Sequence, residues 1–245
     1  KAAIISISGT RLTPVEITIF KKEKPWGVIL FKRNISSAKE LKRLTSSIRI
    51  IMKDKKYPIL IDEEGGRVTR FSNFLDNSRF DQKYFGNVYK IDKKIGLILL
   101  KTYINTISLH LHSLGININT TPVLDLYLKK AHQIIGNRSY SGNPTIVNEL
   151  GRLCVKFYKD NKIGTVIKHI PGHGRANADS HFKLPIVRNN FKSLKNNDFK
   201  CFKNTIFRSA FFHFAIYWFF SRFGATLSNA FGHAKLQSKL WELID

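Results

Sequence analysis

The chain has 245 residues, 43% of them hydrophobic, enough for one large domain or two small ones around a sizeable core. Its 41 Lys and Arg against 17 Asp and Glu give a formal net charge of +24, yet the charge is spread, with lysines recurring between Lys21 and Lys239 without one dominant run. No helix-turn-helix, zinc-finger or RNA-binding motif accompanies them, so no specific nucleic-acid partner is expected.

Short apolar, β-branched runs alternate with segments of helical character from the first residues onward. The opening "KAAIISISGT" lacks the long apolar run of a signal peptide, which favours a cytoplasmic location, and "AAIISIS" reads as the first strand. Thr13-Pro14-Val15-Glu16 reads as a capping box, with Thr13 the N-cap, Pro14 the first helical position and Glu16 reaching back. "WGVILF" (26–31) and "YPILIDEE" (57–64) are the next strands, separated by a helix from about Ser37 to Met52 on which Ala38, Leu41, Leu44 and Ile48 keep helical spacing. A long helix near Lys93–Leu114 follows, then a strand "ININTTPVLDL" (116–126), a helix near 145–161 and a strand "GTVIKHI" (164–170). Cys154 and Cys201 have no metal-ligand spacing and read as reduced core thiols. "AFFHFAIYWFF" (210–220) is the most apolar stretch, but its eleven residues fall short of the roughly 20 a spanning helix needs, so it reads as a buried segment and no membrane partner is expected.

This is five βα steps with no linker between them, the rhythm of parallel strands joined by crossover helices. Ionisable residues sit just after the strands: Asp62-Glu63-Glu64, Asp125 and Lys168-His169. A (β/α) barrel builds its active site at those strand ends, and an open doubly wound sheet shares the rule.

Three constellations carry candidate chemistry. In "ILIDEEGGRVTR" a buried strand delivers Asp62, and Gly65-Gly66 turn the chain towards Arg67 and Arg70; the set reads either as a grip on hydroxyls or as a structural ion pair. "IGNRSYSGNP" offers Arg138 in a turn-rich loop. In "KHIPGHGRANADSH", Lys168 and His169 leave a strand, a glycine-flanked loop follows, and Asp179 returns two residues from His181. An imidazole beside a carboxylate suits general acid/base work near neutral pH. A metal site is the rival, since His169, His173, Asp179 and His181 are all ligand types, although their spacing is not that of the helical His-Glu-x-x-His motif.

These four segments, "ILIDEEGGRVTR", "GININTTPVLDL", "IGNRSY" and "KHIPGHGRANADSH", resemble in order and spacing the bacterial β-N-acetylhexosaminidases of glycoside hydrolase family 3, over residues 1 to about 206. The Gly-His-Gly loop ending in Asp-Ser-His resembles that branch rather than the family's β-glucosidases. The resemblance implies an α/β fold of the TIM-type (β/α) barrel, here incomplete, with about five to six of eight βα units. Residues 1–206 would be the N-terminal part of the barrel and 207–245 a degraded continuation of it. It further implies retaining hydrolysis of terminal β-N-acetylglucosamine in peptidoglycan recycling, with an N-acetylglucosamine-containing sugar or muropeptide as partner, a monomeric chain, and no metal or organic cofactor. Asp62, Arg70, Arg138, Lys168 and His169 would bind the sugar; His181, paired with Asp179, would be the acid/base. The family's nucleophile lies in a motif resembling Gly-Phe-x-Gly-x-Ile-x-Ser-Asp-Asp, which these 245 residues do not contain. A catalytically dead sugar-binding or vestigial barrel is therefore the alternative, ahead of a basic RNA-associated protein.

Overall fold

The computed structural model describes residues 2–170, 172–176, 187 and 189–206. The expected degraded continuation over 207–245, with its apolar stretch, lies outside the described residues.

Five strands, β1 (Ile4–Ile5), β2 (Gly27–Leu30), β3 (Ile59–Ile61), β4 (Ile118–Asn119) and β5 (Gly164–Thr165), form one parallel sheet in the order β1-β2-β3-β4-β5. A doubly wound sheet reverses strand order at a switch point. This sheet does not, so each crossover advances by one strand, as in a barrel. Among the described residues the sheet ends at β1 and β5, which agrees with a partial barrel.

Helix α1 (Pro14–Glu23) starts at the expected capping box: Thr13 accepts from the Glu16 amide, and Glu16 accepts from the Thr13 amide at 2.8 Å. Helix α2 (Ala38–Met52) is capped by Ser37 and buries Leu41, Leu44, Thr45 and Ile48. Ala38, expected on that face, is exposed; Thr45 takes an inner position, where its hydroxyl donates to the Leu114 carbonyl at 2.8 Å. Cys154 and Cys201 are buried free thiols, and burial pushes the Cys154 thiol up to about 12. No helix among the described residues is long and apolar enough to cross a membrane.

Of the helices of ten residues or more, one escaped the sequence reading. Helix α3 (Gln82–Ile91) precedes α4 (Lys93–Ser113), and Asp92 ends the first and caps the second, its carboxylate accepting from the Ile95 amide at 2.9 Å. The buried face of α3 is Gln82, Phe85, Gly86 and Tyr89, two of which give no apolar signal. Gln82 instead ties down backbone beyond β4, donating to the Val123 carbonyl at 2.7 Å and accepting from the Val123 amide at 2.9 Å. At Gly86 the helix meets a turn: a Cβ there would lie 1.7 Å from the Tyr140 carbonyl oxygen. Helix α5 (Pro144–Asp160) follows that turn, and the short helices α6 (Phe191–Asn196) and α7 (Lys203–Ile206) close the described chain.

The strands show the alternation that places the site. Val28, Leu30, Ile59 and Ile61 point outward into the main core with the helices, whereas Leu60, Ile118 and Val166 form a separate inner cluster flanked by Ile4, Trp26 and Ile29. Side chains two residues further along each strand share that inner face, one layer nearer the carboxyl ends.

Gly86→Ala is expected to destabilise the chain by about 2 kcal/mol or more, because the contact is with backbone that no rotamer change can relieve. Gly9→Ala, with nothing within 4 Å of the added methyl, should stay within about 0.5 kcal/mol of the parent. Urea unfolding of the two variants beside the parent checks both.

Candidate active site

Two residues beyond Leu60, Ile118 and Val166 stand Asp62, Thr120 and Lys168, so the apolar inner layer is followed by a charged one. The Lys168 ammonium lies 2.9 Å from Asp62 Oδ1, 2.6 Å from Glu64 Oε1 and 3.2 Å from the Thr120 hydroxyl. Thr120 also donates to Asp62, and Arg70 Nη2 approaches the other Asp62 oxygen at 3.4 Å. Arg138 grips Glu64 with two parallel bonds of 2.8 and 2.9 Å, and its Nη2 lies 3.4 Å from His169 Nε2. His169 Nδ1 is 2.6 Å from Asp125 Oδ2.

All five residues expected to bind sugar therefore converge on one place at the strand ends. Asp62 is shared among Arg70, Lys168 and Thr120, so its pair with Arg70 is one contact of a larger network. Asp179 and His181, the expected acid/base pair, lie outside the described residues.

Two carboxylates that the sequence reading did not assign complete the centre. Glu64, with a side chain 2% exposed, neutralises both Arg138 and Lys168; Asp125, fully buried, holds His169 and also accepts from the His173 amide at 2.6 Å. A further one, Glu63, points away from them. Its carboxylate accepts from Asn77 Nδ2 at 2.5 Å, the Arg70 amide at 2.7 Å and the Phe71 amide at 3.3 Å, pinning the loop that returns Arg70 to Asp62. The period of two across Asp62-Glu63-Glu64 was the available signal: residues 62 and 64 share one face and 63 takes the other. The turn that follows has Gly65 and Gly66 at φ 84° and 61°, backbone that side chains rarely adopt. From it Arg67 reaches the carbonyls of Gln133, Ile134 and Ile135, holding the loop that presents Arg138.

Burial alone would raise the Asp62 and Glu64 carboxyls. At Asp62 it is outweighed by Lys168, Thr120 and Arg70 together, and the carboxyl falls well below the usual range; at Glu64 it is outweighed by Lys168 and Arg138 together, and the carboxyl falls to about 2. Asp125 is likewise lowered, burial being outweighed by His169 and His173 together. Burial lowers His169, against the raising effect of Asp125. Glu63 has no ion pair among the described residues, and burial raises it. Chemically, the centre offers anchored acceptors and cationic donors in a sheltered space, suited to a ligand with several hydroxyls. Among the described residues no group of three His, Cys, Asp or Glu is placed to hold a metal ion.

Two outcomes are expected. Glu64→Ala leaves Arg138 and shares Lys168 with one carboxylate fewer, and should cost about 3–5 kcal/mol in urea unfolding. Asp62, Glu64 and Asp125 have folded pKa values below their unfolded ones, so their stabilisation is complete above about pH 5 and is lost as pH falls through the folded values. Glu63 acts in the opposite sense, its contribution falling as pH rises. Unfolding free energy measured from pH 7 to 3 should decline, and less steeply in Glu64→Gln.

Residues 6–211 match the model of the glycosyl hydrolase family 3 N terminal domain. A beta-hexosaminidase of Methylobacillus flagellatus is 33% identical over 205 residues, 83% of this chain and 57% of that protein, so the chain spans little more than half the length of this relative. NagZ from Neisseria gonorrhoeae superposes with a TM-score of 0.75 at 29% identity, covering 83% of this chain and 58% of NagZ. The same enzyme in complex with N-trifluoroacetyl-D-glucosamine gives 0.74 at 30% identity, over 82% and 57%. The chain belongs to glycosyl hydrolase family 3, as its N-terminal, TIM-type barrel domain.

Proposed function

We propose that the charged centre binds a terminal β-N-acetylglucosamine and that the chain is the sugar-gripping part of a retaining β-N-acetylhexosaminidase. The observation that carries this reading is the convergence of Asp62, Arg70, Arg138, Lys168 and His169 on one spot at the strand ends. Asp62 keeps its charge near neutral pH, and the cations around it are held by carboxylates rather than by solvent. Such a frame is pre-organised, so ligand hydroxyls replace few water contacts of the protein at little cost in side-chain freedom. The N-trifluoroacetyl-D-glucosamine complex of NagZ supports the same ligand class.

In this reading Asp62 accepts from sugar hydroxyls while Lys168, Arg70 and Arg138 donate to them. Arg70 has capacity for it: its one ion pair is at 3.4 Å, and its buried Nε has no acceptor among the described residues. His181, oriented by Asp179, would deliver a proton to the departing glycosidic oxygen, and an aspartate nucleophile would capture the anomeric carbon. A muropeptide from peptidoglycan recycling as substrate, a monomeric state and a cytoplasmic setting belong to the same proposal, and rest on the likeness to beta-hexosaminidases. The second reading is a sugar-binding protein without turnover.

Calorimetric titration of N-acetylglucosamine should show binding that Asp62→Ala weakens on the order of tenfold or more, since the surrounding donors lose their shared acceptor. Binding unaffected by Asp62→Ala would remove that residue from the site. Hydrolysis of an aryl β-N-acetylglucosaminide separates the two readings: turnover abolished by His181→Ala supports the hydrolase, and binding with turnover at background supports the second.

A further inference from the structure

Asp125 is fully buried, and its two oxygens are both used at 2.6 Å, Oδ2 by His169 Nδ1 and Oδ1 by the His173 amide. One carboxylate thus fixes an imidazole and the backbone four residues further on. At the other side of the ring, Nε2 faces Arg138 Nη2 at 3.4 Å. A guanidinium has only donors, so Nε2 must present its lone pair there, and a carboxylate can only accept, so Nδ1 must carry the proton. The two neighbours demand the same tautomer independently.

We propose that Asp125 is a positioning residue that holds His169 as the neutral Nδ1–H tautomer, so that a ligand hydroxyl meeting His169 must donate its hydrogen to Nε2. The 3.4 Å contact to Arg138 is long, and Arg138 is already held by Glu64 through two shorter bonds, so a hydroxyl competes for the lone pair on good terms. The site then distinguishes the two faces of its ligand by hydrogen-bond direction. Hydroxyls at Lys168 and Arg70 meet donors and must accept; the hydroxyl at His169 meets an acceptor and must donate. Replacing that hydroxyl by fluorine or a methyl ether removes its hydrogen while leaving an electronegative atom in place.

The role of Asp125 rests on the His169 geometry, and the hydroxyl assignment also rests on the sugar-site reading, so the test has separate arms. Long-range 15N–1H correlation spectra of the full chain, with the His169 resonances assigned by their loss in His169→Gln, should show Nδ1 protonated and Nε2 unprotonated at pH 7. An Nε2–H tautomer, or a doubly protonated ring, would overturn the proposal without any variant of Asp125. In Asp125→Asn the amide can donate to the ring, so the tautomer should change, and affinity for N-acetylglucosamine should fall on the order of tenfold to a hundredfold with the circular dichroism spectrum kept. An unchanged tautomer and affinity would contradict it. The monodeoxy and monofluoro N-acetylglucosamines should weaken equally at one ring position, the one at His169; if every fluoro sugar binds as the parent sugar does, the donating hydroxyl is refuted. Failure of all sugars to bind, with the Nδ1–H tautomer in place, would sink the sugar-site reading and leave the role of Asp125 standing.

Discussion

The centre depends on a single buried ammonium. Lys168 leaves β5's run with a side chain 11% exposed and meets Asp62 and Glu64, from one strand end, at 2.9 and 2.6 Å. Placing one cation between two carboxylates that would otherwise repel each other allows both to remain ionised, and the lowered pKa values of both follow from it. The remaining cations then find fixed partners: Arg138 on Glu64 and Arg70 on Asp62.

This arrangement follows from the sheet in a few steps. Parallel pairing aligns Leu60 with Ile118 and Ile118 with Gly164, so Asp62 stands level with Thr120, while Lys168, bridged to Val123, reaches them from further along its own strand. Alternation puts Leu60, Ile118 and Val166 on the inner face and, two residues on, Asp62, Thr120 and Lys168. An apolar set below and a charged set above is thus the consequence of the period of two along each strand. The outer face carries the large core that holds the strands rigid, and the loops that bring Arg70 and Arg138 are each tied back by a side chain of the β3 end, Glu63 for the first and Arg67 for the second.

Much of this was legible in the sequence because strands and charges are local signals. The runs ending in Asp62 and in Lys168-His169 announce inner-face residues by position alone, and Thr13-Pro14-Val15-Glu16 announces a helix start by its hydrogen-bond chemistry. What escaped was non-local. Glu64 and Asp125 look like any acidic residue beside a turn until Arg138 and His169, brought from 74 and 44 residues away, are seen to need them. Helix α3 escaped because its buried face is chosen for what it meets, a glycine against the Tyr140 carbonyl and a glutamine against the backbone beyond β4, and neither preference shows in an apolar period.

The central claim is that the charges gathered by Lys168 form a ligand site and are more than a structural knot in the barrel. A crystal of the 245-residue chain soaked with N-acetylglucosamine tests it most directly. The account predicts one sugar ring at the strand ends, with hydroxyls in hydrogen-bonding reach of Asp62, Lys168 and His169. A sugar bound elsewhere, with the Asp62–Lys168–Glu64 contacts intact and no ligand density beside them, would contradict it.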